Sequence, residues 1–396
     1  MDNKSLYIIL LIFTFAAGIL LRVGLPEVQQ YASGADEGYY LKYAGIFVDN
    51  GISAMKIIAK QYLSDARMQL YPSPTRIGQI LISGLWMKIT GGFDFRALAR
   101  MSAFFSILAL FAGYFFVKRL FGGKIALLSL ALFAASPLNL AMARRALQDG
   151  LVYFFVLLAL YAFYAAARSR KLTAHLLFML SFFACVMVKE SAVLLSASLL
   201  FFAIWDRAFY DREIRILPLI ASIVAALALS LLAYAVFIGW DDFIKLAGVV
   251  FSSPATNEYA KLYQTGPFLR YAADFTLISP LTMAALAGFA VLLATRRVKM
   301  DEPILYLFVF FTVSYIIYSL FSKNLRYVIF LDLPIRVFAA IFVSKALSRF
   351  GDKAFAASFA AVAVIAAVDC VIFQNIFIGH GVYDPVTVNL LNAWRY

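Results

Sequence analysis

The stretch Ile214–Ile238, IRILPLIASIVAALALSLLAYAVFI, has one charge, Arg215, and none after it. A helix rising about 1.5 Å per residue needs about twenty apolar residues to cross a bilayer core. This stretch is long enough, and it has company. Runs of that order stand at Leu6–Leu25, Leu98–Val117, Ile125–Ala143, Gly150–Ala167, Ala174–Val188, Ala192–Trp205, Thr276–Thr295, Pro303–Phe321, Tyr327–Lys345 and Phe355–Phe373. That makes about eleven spans. Of the 396 residues, 64% are hydrophobic and 14% charged, against about 45–50% and about 25% in a soluble domain. The chain reads as an all-α polytopic membrane protein, a single integral domain over 1–396 with no soluble domain.

The formal charge of +13 is spread in short clusters between the apolar runs. The positive-inside rule accounts for it, and nucleic acid is not an expected partner. Cys185 and Cys370 lie inside apolar runs and suggest neither a disulfide framework nor a metal site. His175 and His380 are the only histidines, which excludes a histidine-rich metal cluster. Met1 to Leu25 resembles a signal peptide, but its apolar run exceeds a typical h-region and reads as a true span.

Ile77–Ile89 is too short to cross and reads as a juxtamembrane helix. That choice puts Lys4, Lys118/Arg119/Lys124, Arg168/Arg170/Lys171, Arg207/Arg212/Arg215, Arg296/Arg297/Lys299 and Lys345/Arg349/Lys353 on one face, as the positive-inside rule demands. The N-terminus is then cytoplasmic, and the C-terminus extracytoplasmic. The outer face receives a first loop over 26–97, a short second loop with Arg144, Arg145 and Asp149, and a third with Lys189 and Glu190. A long fourth loop over 239–275, a fifth with Lys323 and Arg326, and a tail over 374–396 complete it.

Within the first loop, Ala35-Asp36-Glu37-Gly38-Tyr39-Tyr40 opens a helix along the membrane surface. Neighbouring residues on a helix point about 100° apart, so the two acids cannot aim at one atom. One would face the site and the other would cap or support; simple capping explains the pair equally well. Arg144-Arg145 runs against the positive-inside pattern, and arginine grips phosphate by paired hydrogen bonds; lipid headgroups are the plainer contact. Asp149 caps the helix at Gly150 or pairs with an arginine. Lys189 and Glu190 interrupt an apolar stretch or mark a turn. Tyr71-Pro72-Ser73-Pro74-Thr75-Arg76 is a proline-punctuated corner whose Arg76 reads as a phosphate contact or a headgroup anchor. Asp332 and Arg336, spaced i, i+4, read as a structural ion pair; a helix broken at Pro334 would instead turn Arg336 to a lipid phosphate.

These residues, in this order, resemble the polyprenyl-phosphate-dependent glycosyltransferases of the GT-C fold, in particular the protein O-mannosyltransferases and the lipid A aminoarabinose transferases. The likeness begins at Ala35–Tyr40 and continues at Arg96-Ala97-Leu98-Ala99-Arg100, Lys118–Gly122, Ser136-Pro137 and Arg144–Asp149. It ends at Lys189 and at Arg326-Tyr327 through Leu333-Pro334. Ser73 before Pro74 departs from the basic residue often found there.

The resemblance implies an inverting transferase in the plasma (inner) membrane, with its active site extracytoplasmic. Its partners would be a polyprenyl-phosphate-linked sugar donor, membrane lipid, and an acceptor glycan, lipid or protein that offers a hydroxyl or phosphate. Asp36, Glu37 and Asp149 are the expected catalytic group. Arg144, Arg145, Lys189, Arg76 and Arg326 are the expected donor-phosphate ligands. No cofactor is fixed, and a divalent cation between Asp36 and Asp149 stays open. The alternative is a transporter or flippase, or a non-catalytic binder of polyprenyl-linked sugars. Against the transporter, no internal repeat is visible.

Overall fold

The computed structural model describes residues 3–24, 28, 30–169, 171–210 and 216–395. Leu25, Pro26, Arg170, Arg212 and Arg215 of the sequence reading lie outside the described residues. In chain order the helices are α1 (Asn3–Val23), α2 (Asp36–Asn50), α3 (Ala54–Ser64), α4 (Ile77–Thr90), α5 (Phe95–Ala134), α6 (Pro137–Ala143), α7 (Asp149–Arg168), α8 (Leu172–Val188) and α9 (Leu195–Tyr210). They continue with α10 (Ile216–Phe237), α11 (Trp240–Thr256), α12 (Glu258–Tyr263), α13 (Arg270–Ile278), α14 (Pro280–Ala294), α15 (Glu302–Ser319), α16 (Asp332–Ala346), α17 (Ala354–Phe373) and α18 (Thr387–Arg395). No strand occurs among the described residues.

Eight helical segments among these residues are long and apolar enough to cross a membrane, and α4, α8 and α14 are shorter apolar helices. The protein is a multi-pass membrane protein. One of the eight segments, α5, has 40 residues and a non-helical break at Gly122, with φ 79° and ψ 175°. Its two limbs run antiparallel to each other, both against α1. The Tyr7 hydroxyl bonds to Tyr114 at 2.8 Å and to the Gly123 carbonyl at 3.2 Å. Gly18, three helical turns along, faces Leu110 and Ala134. The chain therefore reverses at Gly122, where the positive φ suits a residue without Cβ, between the spans expected at Leu98–Val117 and Ile125–Ala143.

Two compact units emerge, a division that no composition shift in the sequence announces: 1–26 with 106–142 and 266–396, and 27–105 with 143–265. In the first unit, Leu128, Ala131 and Leu132 of α5 pack with Ala285 of α14, Ala339, Ala340 and Val343 of α16, and Val362 of α17. Small residues let these backbones approach closely, as is common where helices meet inside a membrane. Arg336 is fully buried here. Its Nε donates to both Asp332 oxygens at 2.9 Å, and its Nη1 reaches Asp369 at 2.8 Å and the Leu132 carbonyl at 2.9 Å. The i, i+4 pair is a structural one, with Asp369 as a third member. Pro334 sits in the first turn of α16 and breaks nothing.

In the second unit α7, α8 and α10 pack side by side, and α2 lies on α4. A Cβ on Gly84 would fall 2.2 Å from the Phe47 ring, so this glycine sets how closely α2 and α4 approach. The stretch 239–275, expected as the long fourth loop, is mostly helical: α11 opens with Asp241 and Asp242 in its first turn, the Asn257 side chain caps α12, and α13 begins at Arg270. The expected span Thr276–Thr295 is split, because Ser279 leaves the helical region and Pro280 starts α14 afresh. The tail is also ordered. Trp394 of α18 donates to the Leu277 carbonyl at 3.0 Å.

Candidate active site

The acidic pair occupies the first turn of α2, where carboxylates favour the positive helix end. A tight turn delivers it: Ala35 N bonds to Ala32 O, and Gly38 N to Ala35 O, both at 3.0 Å. A Cβ on Gly38 would stand 1.8 Å from the Ser33 carbonyl oxygen. Since that obstacle is backbone, Gly38→Ala must open the turn. We expect a cost of about 1–3 kcal/mol, typical of overpacking, seen as a lower Tm in detergent together with lost ligand affinity. An unchanged Tm would mean the turn adapts freely.

The two acids part company at once. Glu37 is fully buried. Its Oε2 accepts from Ala32 N at 2.6 Å and its Oε1 from Ala146 N at 2.9 Å, while Arg145 lies 3.6 Å away. Charge-assisted bonds of this kind are roughly twice as strong as neutral ones. Glu37 therefore ties the acidic turn to the Arg144–Asp149 loop. Arg145 Nη1 also donates to the Gln30 carbonyl at 3.3 Å and so helps hold that loop. Asp36 remains partly exposed.

Asp149 begins α7 and is fully buried, with Lys189 Nζ 4.0 Å from its Oδ1. Close helix packing puts it there: a Cβ on the next residue, Gly150, would sit 2.5 Å from the Ser102 carbonyl. Lys189 is in extended conformation between α8 and the short 3-10 turn Glu190–Leu194, which aims its side chain back toward α7. Half-buried Arg144 has its pKa lowered by burial and then by neighbouring Arg145, with Tyr31 opposing. An arriving anion would relieve both strains.

Arg76 is held by side chains distant in sequence. Its Nε and Nη2 both donate to Glu190 at 3.1 Å, and its Nη1 donates to the Tyr40 hydroxyl. With its amide oriented to satisfy both ends, Gln148 donates to Tyr40 Oη at 3.1 Å and to the Val188 carbonyl at 3.0 Å, and accepts from Arg76 Nη1 at 3.2 Å. Burial opposes the Arg76 charge, but Glu190, Tyr40 and Asp36 more than offset it and hold the pKa well above the usual value. Arg76 is thus fixed by Glu190, Tyr40 and Gln148. The proline corner that presents it is locked by Tyr43, which donates to the Pro72 carbonyl at 3.1 Å, and by Tyr39 stacking on Tyr71 at 4.1 Å. Ser73, at the departing position, accepts from the Thr75 hydroxyl at 2.9 Å and stabilises the same corner.

The second unit thus gathers Asp36, Glu37, Arg76, Arg144, Arg145, Asp149 and Lys189. Arg326 belongs to the first unit, 3.7 Å from Asp384 and over the Tyr383 ring. Sequence reasoning missed Tyr40, Gln148 and Glu190 as site members. The only signals were a polar residue inside the Arg144–Asp149 loop and an acid interrupting an apolar run.

The sequence model of the family described as dolichyl-phosphate-mannose-protein mannosyltransferase matches residues 78–240. That span holds Arg144, Arg145, Asp149 and Lys189, but not Asp36 or Arg76. The structure is similar to that of the Archaeoglobus fulgidus oligosaccharyltransferase in complex with Zn and sulfate, at TM-score 0.61 and 14% identity over 94% of this chain and 54% of that one. The same organism's oligosaccharyltransferase AglB, with an inhibitory peptide and a dolichol-phosphate, gives TM-score 0.62 and 13% identity over 96% and 58%. ArnT from Cupriavidus metallidurans, bound to undecaprenyl phosphate, gives 0.54 and 11% over 100% and 73%. This chain has the GT-C fold. It spans little more than half the length of the archaeal structures, and no curated protein sequence matches it.

Of the two carboxylates named for a divalent cation, Asp36 and Asp149, the second already has a cationic side chain beside it. The Lys189 ammonium already faces that carboxylate, and both Glu37 oxygens accept backbone N–H groups. Among the described residues no group of three or more His, Cys, Asp or Glu side chains could hold a metal ion.

Proposed function

We propose that the protein is an inverting glycosyltransferase that moves a sugar from a polyprenyl-phosphate carrier to an acceptor hydroxyl or phosphate on the extracytoplasmic face of the plasma membrane. One observation carries the reading: Glu37 bolts the acidic turn to the arginine loop, so a partly exposed carboxylate is fixed in the same unit as Arg144 and Lys189. A general base beside cations is what displacement of a phosphate leaving group requires. The family match and the carriers bound by the GT-C relatives point the same way.

In this scheme Asp36 takes the proton from the acceptor. The acceptor oxygen then bonds to the anomeric carbon as the carbon–oxygen bond to phosphate breaks, which inverts that carbon and releases polyprenyl phosphate. Arg144 and Lys189 receive the departing charge. Arg76 and Glu37 hold the geometry through their bonds to Glu190, Tyr40, Ala32 and Ala146, and Arg145 through its Nη1 bond to the Gln30 carbonyl. Asp149 keeps Lys189 in place.

The test is transfer by purified protein in nanodiscs against a panel of radiolabelled polyprenyl-phosphate sugars. Label in the acceptor and stoichiometric polyprenyl phosphate are the expected products. Tight donor binding with no bond cleavage from any donor would turn the reading toward a carrier or flippase.

A further inference from the structure

Tyrosines crowd the acidic turn and the proline corner: Tyr39, Tyr40, Tyr43, Tyr62 and Tyr71. Three of them commit their hydroxyls to the scaffold. Tyr40 accepts from Arg76 Nη1, Tyr43 donates to the Pro72 carbonyl at 3.1 Å, and Tyr62 donates to the carbonyls of Gln69 and Tyr71 at 3.3 and 3.4 Å. Tyr39 and Tyr71 differ. Their rings stack with centroids 4.1 Å apart and planes 18° off parallel. Both residues are half-buried, and among the described residues neither hydroxyl has a hydrogen-bond partner.

The pair is rigid and stands beside the proposed base. Tyr71 N bonds to Met68 O at 3.1 Å and its carbonyl takes the Tyr62 bond, so the backbone under that ring is held on both sides. Tyr39 follows Asp36 by three residues on α2, a spacing that sets two side chains on one helix side with Cβ atoms about 5–6 Å apart. Tyr43 meets Tyr39 edge-on at 6.1 Å, whereas no second ring contacts Tyr71 among the described residues. Burial, then Tyr71 and Asp65, raise the pKa of Tyr39, so its hydroxyl keeps a proton to donate. The charge nearby favours a neutral ligand over a phosphorylated one. Asp65 and Asp36 are acidic, Arg76 is matched by Glu190, and Lys42 is turned to Met68 Sδ at 4.0 Å. A tyrosine offers a flat apolar body and a polar tip, and a pyranose ring offers an apolar C–H face edged by hydroxyls.

We infer that Tyr39 and Tyr71 seat the acceptor as a neutral sugar ring, its C–H face on Tyr71 and its hydroxyls on the two phenols, with one hydroxyl presented to Asp36. The inference rests on the proposed transfer reaction for the role of Asp36, and it narrows the acceptor of that reaction to a glycan.

The experiment is saturation-transfer NMR on the full chain in nanodiscs. The probes are methyl glycosides of the common hexoses and N-acetylhexosamines, a hexose phosphate, and a peptide containing serine and threonine. At least one methyl glycoside should bind wild type, with saturation strongest at its ring C–H protons. Tyr71→Leu removes both the flat face and the hydroxyl and should weaken binding about tenfold or more. Tyr39→Phe and Tyr71→Phe keep the stack and break no bond within the protein, so each should weaken binding about threefold at an unchanged Tm. A purely structural pair would leave both phenylalanine variants binding like wild type. In transfer assays the same changes should raise the acceptor KM and leave the donor KM alone. No glycoside binding, binding indifferent to the three substitutions, tighter binding of the hexose phosphate, or the same tyrosine dependence for the peptide overturns the inference. Glycoside binding that follows the tyrosines, with no transfer from any donor, would sink the transferase reading and leave this platform standing. Transfer with an unchanged acceptor KM in all three variants would do the reverse.

Discussion

Asp36→Asn should lower sugar transfer by about 100-fold or more, the range general-base groups supply, while leaving folding and polyprenyl-phosphate binding intact. The expectation follows from how the two neighbouring acids divide. Glu37 has both oxygens on backbone N–H groups and no exposure, whereas Asp36 is the acid with access to an incoming acceptor. Asparagine keeps the shape of aspartate and the polar first turn of α2 but cannot take a proton. Were Asp36 only a helix-end charge, its replacement would cost about 0.3–1 kcal/mol of stability and nothing in rate. The two readings therefore move different quantities. Glu37→Gln is the comparison: it puts an amide N–H against one of two backbone N–H groups and unpairs Arg145, so stability and transfer should fall together. Full transfer by Asp36→Asn would remove the base assignment and return that residue to capping.

Much of this arrangement could be read from the chain, and the failures have a common cause. Apolar runs separated by basic clusters mark helices because hydrocarbon tolerates little else. Lys118-Arg119-Leu120-Phe121-Gly122-Gly123-Lys124 marked a reversal between spans, and Gly122 provides it. Local spacing also paired Asp332 with Arg336. What stayed hidden depends on partners distant in sequence. Arg76 and Glu190 meet across 114 positions, and no periodicity tells an arginine that reaches for phosphate from one that is held by a glutamate. Asp369 joins Arg336 from 33 residues away for the same reason. Within the expected fourth loop over 239–275, α11 packs on α3, a contact between elements that spacing along the chain does not announce.

Arg336→Met should be the most destabilising single change in the first unit, by about 3–5 kcal/mol, the usual result of removing one partner from a buried ion pair. Against a total of about 5–15 kcal/mol for a typical protein, that is a large fraction. The guanidinium serves four elements at once: Asp332 on α16, Asp369 on α17, the Leu132 carbonyl near the end of α5, and Ser279 beside α14 at 3.2 Å. Without it two carboxylates remain in an apolar core. Asn139 at 2.7 Å from Asp332 and Thr282 at 3.3 Å from Asp369 stay as neutral donors. One or both acids must then take up a proton, and a helix must shift to let water in. The penalty comes mainly from stranded charge and not from lost attraction, so it should be reversible. Adding Asp369→Asn should restore part of the Tm, and replacing Asp332, Asp369 and Arg336 together by apolar residues of similar volume should restore most of it. Thermal unfolding in detergent, followed by loss of the monodisperse species, ranks the series. A wild-type Tm for Arg336→Met would mean that packing of the alanine-rich faces of α5, α14 and α16 holds these helices without the arginine.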